Sequence, residues 1–241
     1  MSGTGAMPLL SVQDLHVHYG KSHILHGVSF DVQKGEVMSL LGRNGSGRST
    51  TIKSIMGLVP PTSGQIRFDG QDIAGAPPYT VARAGMAYVP EERDVFANLT
   101  VDENLVMGMQ RARDGVPAWT IEEMFNYFPR LKERRNTRAG NLSGGEQQML
   151  TICRSLLGNP RLIMIDEPTE GLAPKIVAVV GEAIQDIHRQ GVSVILVEQK
   201  LTIAMKISTA VCLLGHGKIV FRGGPDELAG NPQLLKDWLA V

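Results

Sequence analysis

Three short stretches of this chain carry residue types whose spacing could do chemistry. The first is Gly42-Arg43-Asn44-Gly45-Ser46-Gly47-Arg48-Ser49-Thr50. Glycines at this spacing let backbone N–H groups turn inward around an anion, and a helix starting there offers its positive end to the same anion. The stretch follows the phosphate-loop pattern G-x-x-x-x-G-K-[ST] with one departure: Arg48 stands where lysine is expected. Lysine acts as a point charge on phosphate, whereas arginine is planar, longer and bidentate. Ser49 places a hydroxyl where it can ligate Mg²⁺.

The second stretch, Leu162-Ile163-Met164-Ile165-Asp166-Glu167, is an apolar run that ends in two acids. A strand of a parallel sheet would deliver Asp166 to its C-terminal edge. Asp166 could then bind the Mg²⁺ shell, and Glu167 could polarise an attacking water as a general base. The third is Leu142-Ser143-Gly144-Gly145-Glu146-Gln147-Gln148. Ser143 and Glu146 have the spacing of a capping box. Ser143 and the N–H groups of Gly144 and Gly145 could equally form a second anion site at a helix N-terminus. Two chains arranged head-to-tail could wrap both anion sites around one phosphate more easily than one chain could.

Elements of both kinds are needed to position these groups. Val12 to Tyr19 and Val28 to Val32 alternate as strands, and Glu36 to Leu41 is a short apolar strand. Arg48 to Met56 suits a helix closed by Gly57. A strand at Gln65 to Phe68 follows the Pro60–Gly64 turn. Helical stretches at Val101 to Arg111 and Thr120 to Phe128, punctuated by Gly115, Pro117 and Pro129, read as an insertion over about 92–145. A helix over Gly145 to Gly158, a buried strand over 162–165, a helix around Ile176 to Ile187 and a buried strand over 192–197 follow. A helix from about Leu201, a hairpin around Gly215-His216-Gly217 and a helix over Pro232 to Leu239 close the chain. This alternation predicts an α/β fold with a mainly parallel sheet, preceded by a small antiparallel β subdomain.

Composition narrows the classes. The 241 residues hold 24 Lys+Arg and 24 Asp+Glu, for a formal net charge of zero. That balance argues against binding nucleic acid by bulk charge. With 43% hydrophobic residues the chain can bury a core. Cys153 and Cys212 are far apart and read as buried thiols in a reducing compartment. His16 and His18 could share one strand face, but no third metal ligand lies nearby. No apolar run approaches the ~18 residues of a membrane span. Met1 to Pro8 lacks the features of a signal peptide, so a cytoplasmic chain is expected.

The phosphate loop, Leu-Ser-Gly-Gly-Glu and the Asp166-Glu167 strand, in this order, resemble the ATP-binding subunit of an ABC transporter from about residue 9 onward. Val89-Pro90-Glu91, Glu167 to Pro174 and Leu196-Val197-Glu198-Gln199 resemble the subgroup that serves branched-chain amino-acid and urea importers. The resemblance implies a P-loop NTPase core and a single nucleotide-binding domain over 9–241, with a helical signature subdomain. It implies ATP and Mg²⁺ as cofactors. Gly42 to Thr50, Asp166, and Ser143 to Glu146 of a second chain would hold the nucleotide. Ser49, Glu91 and Asp166 would serve the metal, and Glu167 and Gln199 catalysis. Tyr19 matches the aromatic residue that stacks on adenine. Glu91 opens the loop that usually relays nucleotide state through a glutamine, Gly171 to Pro174 match the segment that crosses the dimer, and Gln199 replaces the usual switch histidine.

The implied partners are membrane permease subunits, a second identical or homologous ATPase chain and, indirectly, a periplasmic solute-binding protein. The chain is expected on the inner face of the cell membrane, with no nucleic-acid partner. A subunit with weak hydrolysis of its own, an exporter ATPase, and an ATPase acting on DNA or ribosomes remain as alternatives.

Overall fold

A computed structural model of the chain describes residues 7–113, 115, 118–199 and 201–239. Pro117 and most of the Met1–Pro8 stretch lie outside the described residues. In chain order the elements are β1 (Leu10–Tyr19), β2 (Ser22–Val32), β3 (Val37–Leu41), α1 (Arg48–Ile55), β4 (Ser63–Phe68), β5 (Gln71–Asp72), α2 (Pro78–Ala84), β6 (Met86–Val89), α3 (Val101–Gly108), α4 (Ile121–Tyr127) and α5 (Pro129–Glu133). They continue as α6 (Gly144–Leu156), β7 (Leu162–Asp166), α7 (Pro174–Arg189), β8 (Ser193–Glu198), α8 (Leu201–Ile207), β9 (Ala210–Gly215), β10 (Lys218–Gly223), α9 (Pro225–Ala229) and α10 (Pro232–Trp238). The class is α/β, with one antiparallel sheet and one mixed, mostly parallel sheet. The chain divides into two compact units, residues 1–84 with 195–241, and residues 85–194.

In the first unit β1 pairs antiparallel with β2 and with β4, and β4 with β5. The sequence alternates only loosely here because the register shifts between Val12 and Leu15, where Asp14 has a φ of 48°. That bulge returns Leu15 and Val17 to the buried face used by Leu10 and Val12. All five residues of β3 are buried, and β3 runs parallel to β9 from Met38 beside Ala210 to Leu41 beside Leu213. β9 and β10 form the expected hairpin, turning at His216 and Gly217 with φ of 46° and 74°. Leu41, Val211, Leu213, Ala204 and Leu228 make a core over which Trp238 packs.

In the second unit β6 runs parallel to β7, from Met86 beside Leu162 to Val89 beside Ile165. α3, α4 and α6 each begin with a capping box, Thr100 with Glu103, Thr120 with Glu123 and Ser143 with Glu146. Each box satisfies two amides that the first turn of a helix leaves unpaired. α6 buries Met149, Leu150, Ile152, Cys153 and Leu156. Asn104, wholly buried in α3, fastens the preceding loop: Phe96 N–H donates to its Oδ1 at 2.9 Å, and its Nδ2 donates to the carbonyls of Phe96 and Thr100 at 3.0 and 2.9 Å. Residues 92–145 lie within this unit.

Both cysteines are buried and free. Burial pushes the Cys212 thiol up to about 12 and moves that of Cys153 in the same direction, so neither is poised as a nucleophile.

Candidate functional site

The first unit builds the phosphate loop between the buried strand β3 and helix α1. Two glycines there are required by space as well as by conformation. At Gly42, with φ of 153°, a Cβ would lie 2.5 Å from the Leu214 carbonyl oxygen and from Ser46 Oγ. At Gly47, with φ of 105°, it would lie 2.6 Å from Leu25 Cδ2. Gly47 is the N-cap of α1 and supplies no side-chain cap, so the first turn of the helix faces whatever fills the loop. The Ser46 hydroxyl oxygen is buried without a hydrogen-bond partner. The loop backbone is braced at Ser46, whose N–H donates to the Arg43 carbonyl at 3.0 Å and whose carbonyl accepts from Gly217 N–H at 2.9 Å.

Arg48 opens α1 and is 4% exposed. Its Nη2 donates to Asn44 Oδ1 at 3.0 Å. Gln199, just after β8, donates through Nε2 to the same oxygen. The structure thus brings Gln199 to the phosphate loop through Asn44. Arg43, Asn44 and Gly45 are exposed, while Ser49 and Thr50 are half-buried on the first turn. A cleft of about 230 Å³ opens between Arg43–Ser46, the His216 turn and Trp238. Tyr19 ends β1 with 48% of its surface exposed.

The second unit holds the acids and the Leu-Ser-Gly-Gly-Glu stretch. β7 ends at Asp166, 1% exposed, and Glu167 follows, 8% exposed with φ of 44°. That φ is costly for a residue with a side chain and is tolerated where surroundings fix it. Tyr88, on the neighbouring β6, donates its hydroxyl to Asp166 Oδ2 at 3.4 Å. Burial, then the charges of Asp166, Glu92 and Asp94, push the Tyr88 phenol upward, so it stays a donor. The sequence reading missed Tyr88. Its signal was an aromatic residue two positions before Pro90 on a strand too short to stand out.

Ser143 caps α6 as expected. Its N–H and its hydroxyl donate to Glu146 Oε2 at 2.8 and 2.9 Å, and Glu146 N–H donates back to Ser143 Oγ at 3.3 Å. Burial alone would raise the Glu146 carboxyl, but the Ser143 donors and the charges of Arg134 and Arg130 hold it below its ordinary value. Gly144 and Gly145 are half-buried at the helix start, and Glu91 is exposed in the turn after β6.

Four histidines of the first unit, of which the sequence reading paired only two, meet on the β1–β2 hairpin. The rings of His18 and His23 stack at 3.9 Å, those of His23 and His26 lie 3.9 Å apart, and His16 Nδ1 is 3.0 Å from His23 Nε2. Among the described residues no group of three or more His, Cys, Asp or Glu is arranged to hold a metal ion.

The residues present fit a nucleotide phosphate and magnesium by their chemistry. The loop offers an uncapped helix start, a cradle that a Cβ would fill, and the unsatisfied Ser46 hydroxyl. Ser49 in the first unit and Asp166 in the second each carry an oxygen donor of the hard type that Mg²⁺ takes.

Known proteins agree with this chemistry. The sequence profile of the ABC transporter family matches residues 25–170. The chain is 42% identical to the high-affinity branched-chain amino acid transport ATP-binding protein BraG of Pseudomonas aeruginosa, over 96% of this chain and 99% of that protein. It is 31% identical to the lipopolysaccharide export system ATP-binding protein LptB of Haemophilus influenzae, over 97% and 98%. Its structure resembles the ADP conformation of MJ1267, an ATP-binding cassette of an ABC transporter, with a TM-score of 0.80 and 27% identity over 96% of each chain. With its phosphate loop, its acid-ended strand and its capped Leu-Ser-Gly-Gly-Glu helix, the chain belongs to the ABC transporter family as an ATP-binding, ATPase subunit.

Proposed function

We propose that this chain binds ATP with Mg²⁺ at residues 42–50 and hydrolyses it to drive uptake of a small solute, branched-chain amino acids, through membrane permease partners. The observation that carries the reading is the glycine-built loop whose helix start no side chain caps. The likeness to BraG supports the solute class and the place of work, peripheral on the inner face of the cell membrane. No described helix is long and apolar enough to cross a membrane, so the permeases would carry the path.

In this reading the N–H groups of Gly45 to Thr50 hold the β- and γ-phosphates, and Arg48 adds cationic charge from within the loop. Ser49 and Asp166 would hold magnesium, with Glu91 nearby in the sequence motif; when bound, it would supply positive charge against the transferred phosphoryl group. Glu167 accepts a proton from the attacking water, and Gln199 hydrogen-bonds the terminal phosphate. Tyr19 stacks on the adenine. Ser143 to Glu146 of a second chain, identical or homologous, close the pocket from the other side. ATP then favours the closed pair by its higher affinity for that state, and hydrolysis releases it. A periplasmic solute-binding protein would deliver the cargo to the permeases.

Reconstitution with the permeases in liposomes tests this. ATP supplied on the side of this chain should drive leucine inward, and Glu167→Gln should stop it. Movement only in the opposite direction would favour the export reading that the LptB likeness keeps open. A second reading, weak hydrolysis beside a more active homologue, draws on Arg48 being bound to Asn44. ATPase of the purified chain alone, at wild type and Arg48→Lys, separates it.

A further inference from the structure

The loop after β6 runs beside α6 within the second unit, and contacts from two arginines hold it there. Arg154, near the end of α6, donates to the Asp94 carbonyl and lays its guanidinium 4.5 Å from the centre of the Phe96 ring. Its Nη1 also donates to Asn104 Oδ1 at 3.2 Å. The other arginine is Arg93, a half-buried residue held in the left-handed region with φ of 54°. Its Nη2 donates to the Glu170 carbonyl at 2.7 Å. The same guanidinium lies over the first residue of α6: a Cβ added to Gly144 would collide with Arg93 Nη1, and one added to Gly171 would lie 3.5 Å from Nη2. Glu170 N–H in turn donates to the Glu167 carbonyl at 3.2 Å.

From its own loop, two residues past Glu91, one planar side chain therefore reaches two pieces of backbone: the start of α6 beside Ser143, and the turn whose hydrogen bond returns to Glu167. A left-handed backbone at a residue with a side chain, with that side chain spent on a backbone carbonyl, is a costly arrangement to maintain for packing alone. Lysine could satisfy the carbonyl but could not spread over Gly144 as the flat guanidinium does.

We propose that Arg93 is a positioning residue for ATP hydrolysis. By bridging the loop of Glu91 to Gly144 and to the Glu170–Gly171 turn, it fixes the backbone that aims Glu167 and the α6 start together. The inference rests on the ATPase reading above. Arg93 itself touches neither ATP nor the attacking water in this proposal. It acts through the Glu167 turn, so it governs the rate of the bound complex and leaves the affinity of the phosphate loop alone.

Arg93→Ala and Arg93→Lys, made in the full chain, test it. Steady-state ATPase gives kcat and KM, and fluorescence of N-methylanthraniloyl-ATP gives the affinity of the loop. Arg93→Ala should lose about ten- to a hundredfold in kcat, with KM and analogue affinity within about twofold of wild type. Arg93→Lys, which keeps a donor for the Glu170 carbonyl, should recover part of that loss. Should the alanine chain fail to fold, Arg93→Lys alone must show a lowered kcat at unchanged affinity. A wild-type kcat in Arg93→Ala, a fall in affinity that tracks kcat, or a lysine variant no better than alanine overturns the proposal. A wild-type chain that neither binds the analogue nor hydrolyses ATP overturns the ATPase reading instead.

Discussion

The Arg48 guanidinium donates to the Asn44 side-chain oxygen at 3.0 Å, so the cation that stands in the lysine position is bound to its own loop. Gln199 donates to that same oxygen. Asn44 thus gathers Arg48, which departs from the phosphate-loop pattern, and Gln199, just after β8. An arginine can hold Asn44 with one nitrogen and still present others to phosphate, since its fork carries five N–H donors.

Arg48→Ala should therefore lower the ATPase kcat by about a hundredfold, as loss of a charge-stabilising donor does. Arg48→Lys should equal or exceed the wild-type rate, because the ammonium reaches phosphate as a point charge. A lysine variant as slow as the alanine variant would show that this loop works only with a guanidinium.

The histidine stack makes stability depend on pH. Burial first, then the neighbouring His18, His26 and His16, lower the His23 pKa. Asp14, whose Oδ1 is 3.2 Å from His16 Nε2, is the anion facing the group, and Thr62 Oγ1 is 3.0 Å from His18 Nδ1. A folded-state pKa below the unfolded value of about 6.5 means that the unfolded chain binds more protons in that window. Stability is then full above about 6.5 and is lost as pH falls toward the depressed folded value. Thermal melts should show the midpoint dropping on acidification through that window, and His23→Gln should flatten the slope. An unchanged slope in His23→Gln would remove the stack as the cause.

Asn104 makes a stability prediction in the second unit. Truncation to alanine leaves Phe96 N–H without its side-chain acceptor and removes the amide's bonds to the carbonyls of Phe96 and Thr100, which keep the N–H groups of Leu99 and Asn104. Asn104→Ala should cost about 1–3 kcal/mol in urea unfolding, for the lost amide bonds and the Phe96 N–H left without its acceptor. A loss below about 0.5 kcal/mol would mean that water replaces the amide at no cost.

Local signals in the sequence carried most of the elements. The turn glycines, the apolar run ending at Asp166 and the Ser143–Glu146 spacing each sit where the structure puts them. The same Ser/Thr-x-x-Glu logic applied to Thr100-Val-Asp-Glu103 and Thr120-Ile-Glu-Glu123 would have placed the starts of α3 and α4 as well. What stayed hidden depends on pairing between distant residues. His16 lies opposite His26, and His18 opposite His23, only once the hairpin register forms. The four-residue β6 is too short to show a period, yet its pairing with β7 is what brings Tyr88 to Asp166. Arg93 gives no sign in the sequence of its bond to Glu170, 77 residues further on.

In the proposed function one chain supplies half of each nucleotide pocket. The most direct test is the molar mass of Glu167→Gln by light scattering, with and without saturating ATP and Mg²⁺. Glu167→Gln should be a monomer without nucleotide and a stable dimer with ATP that turns over negligibly, while ADP leaves the monomer. A Glu167→Gln chain that stays monomeric at saturating ATP, or that hydrolyses as fast as wild type, would contradict it.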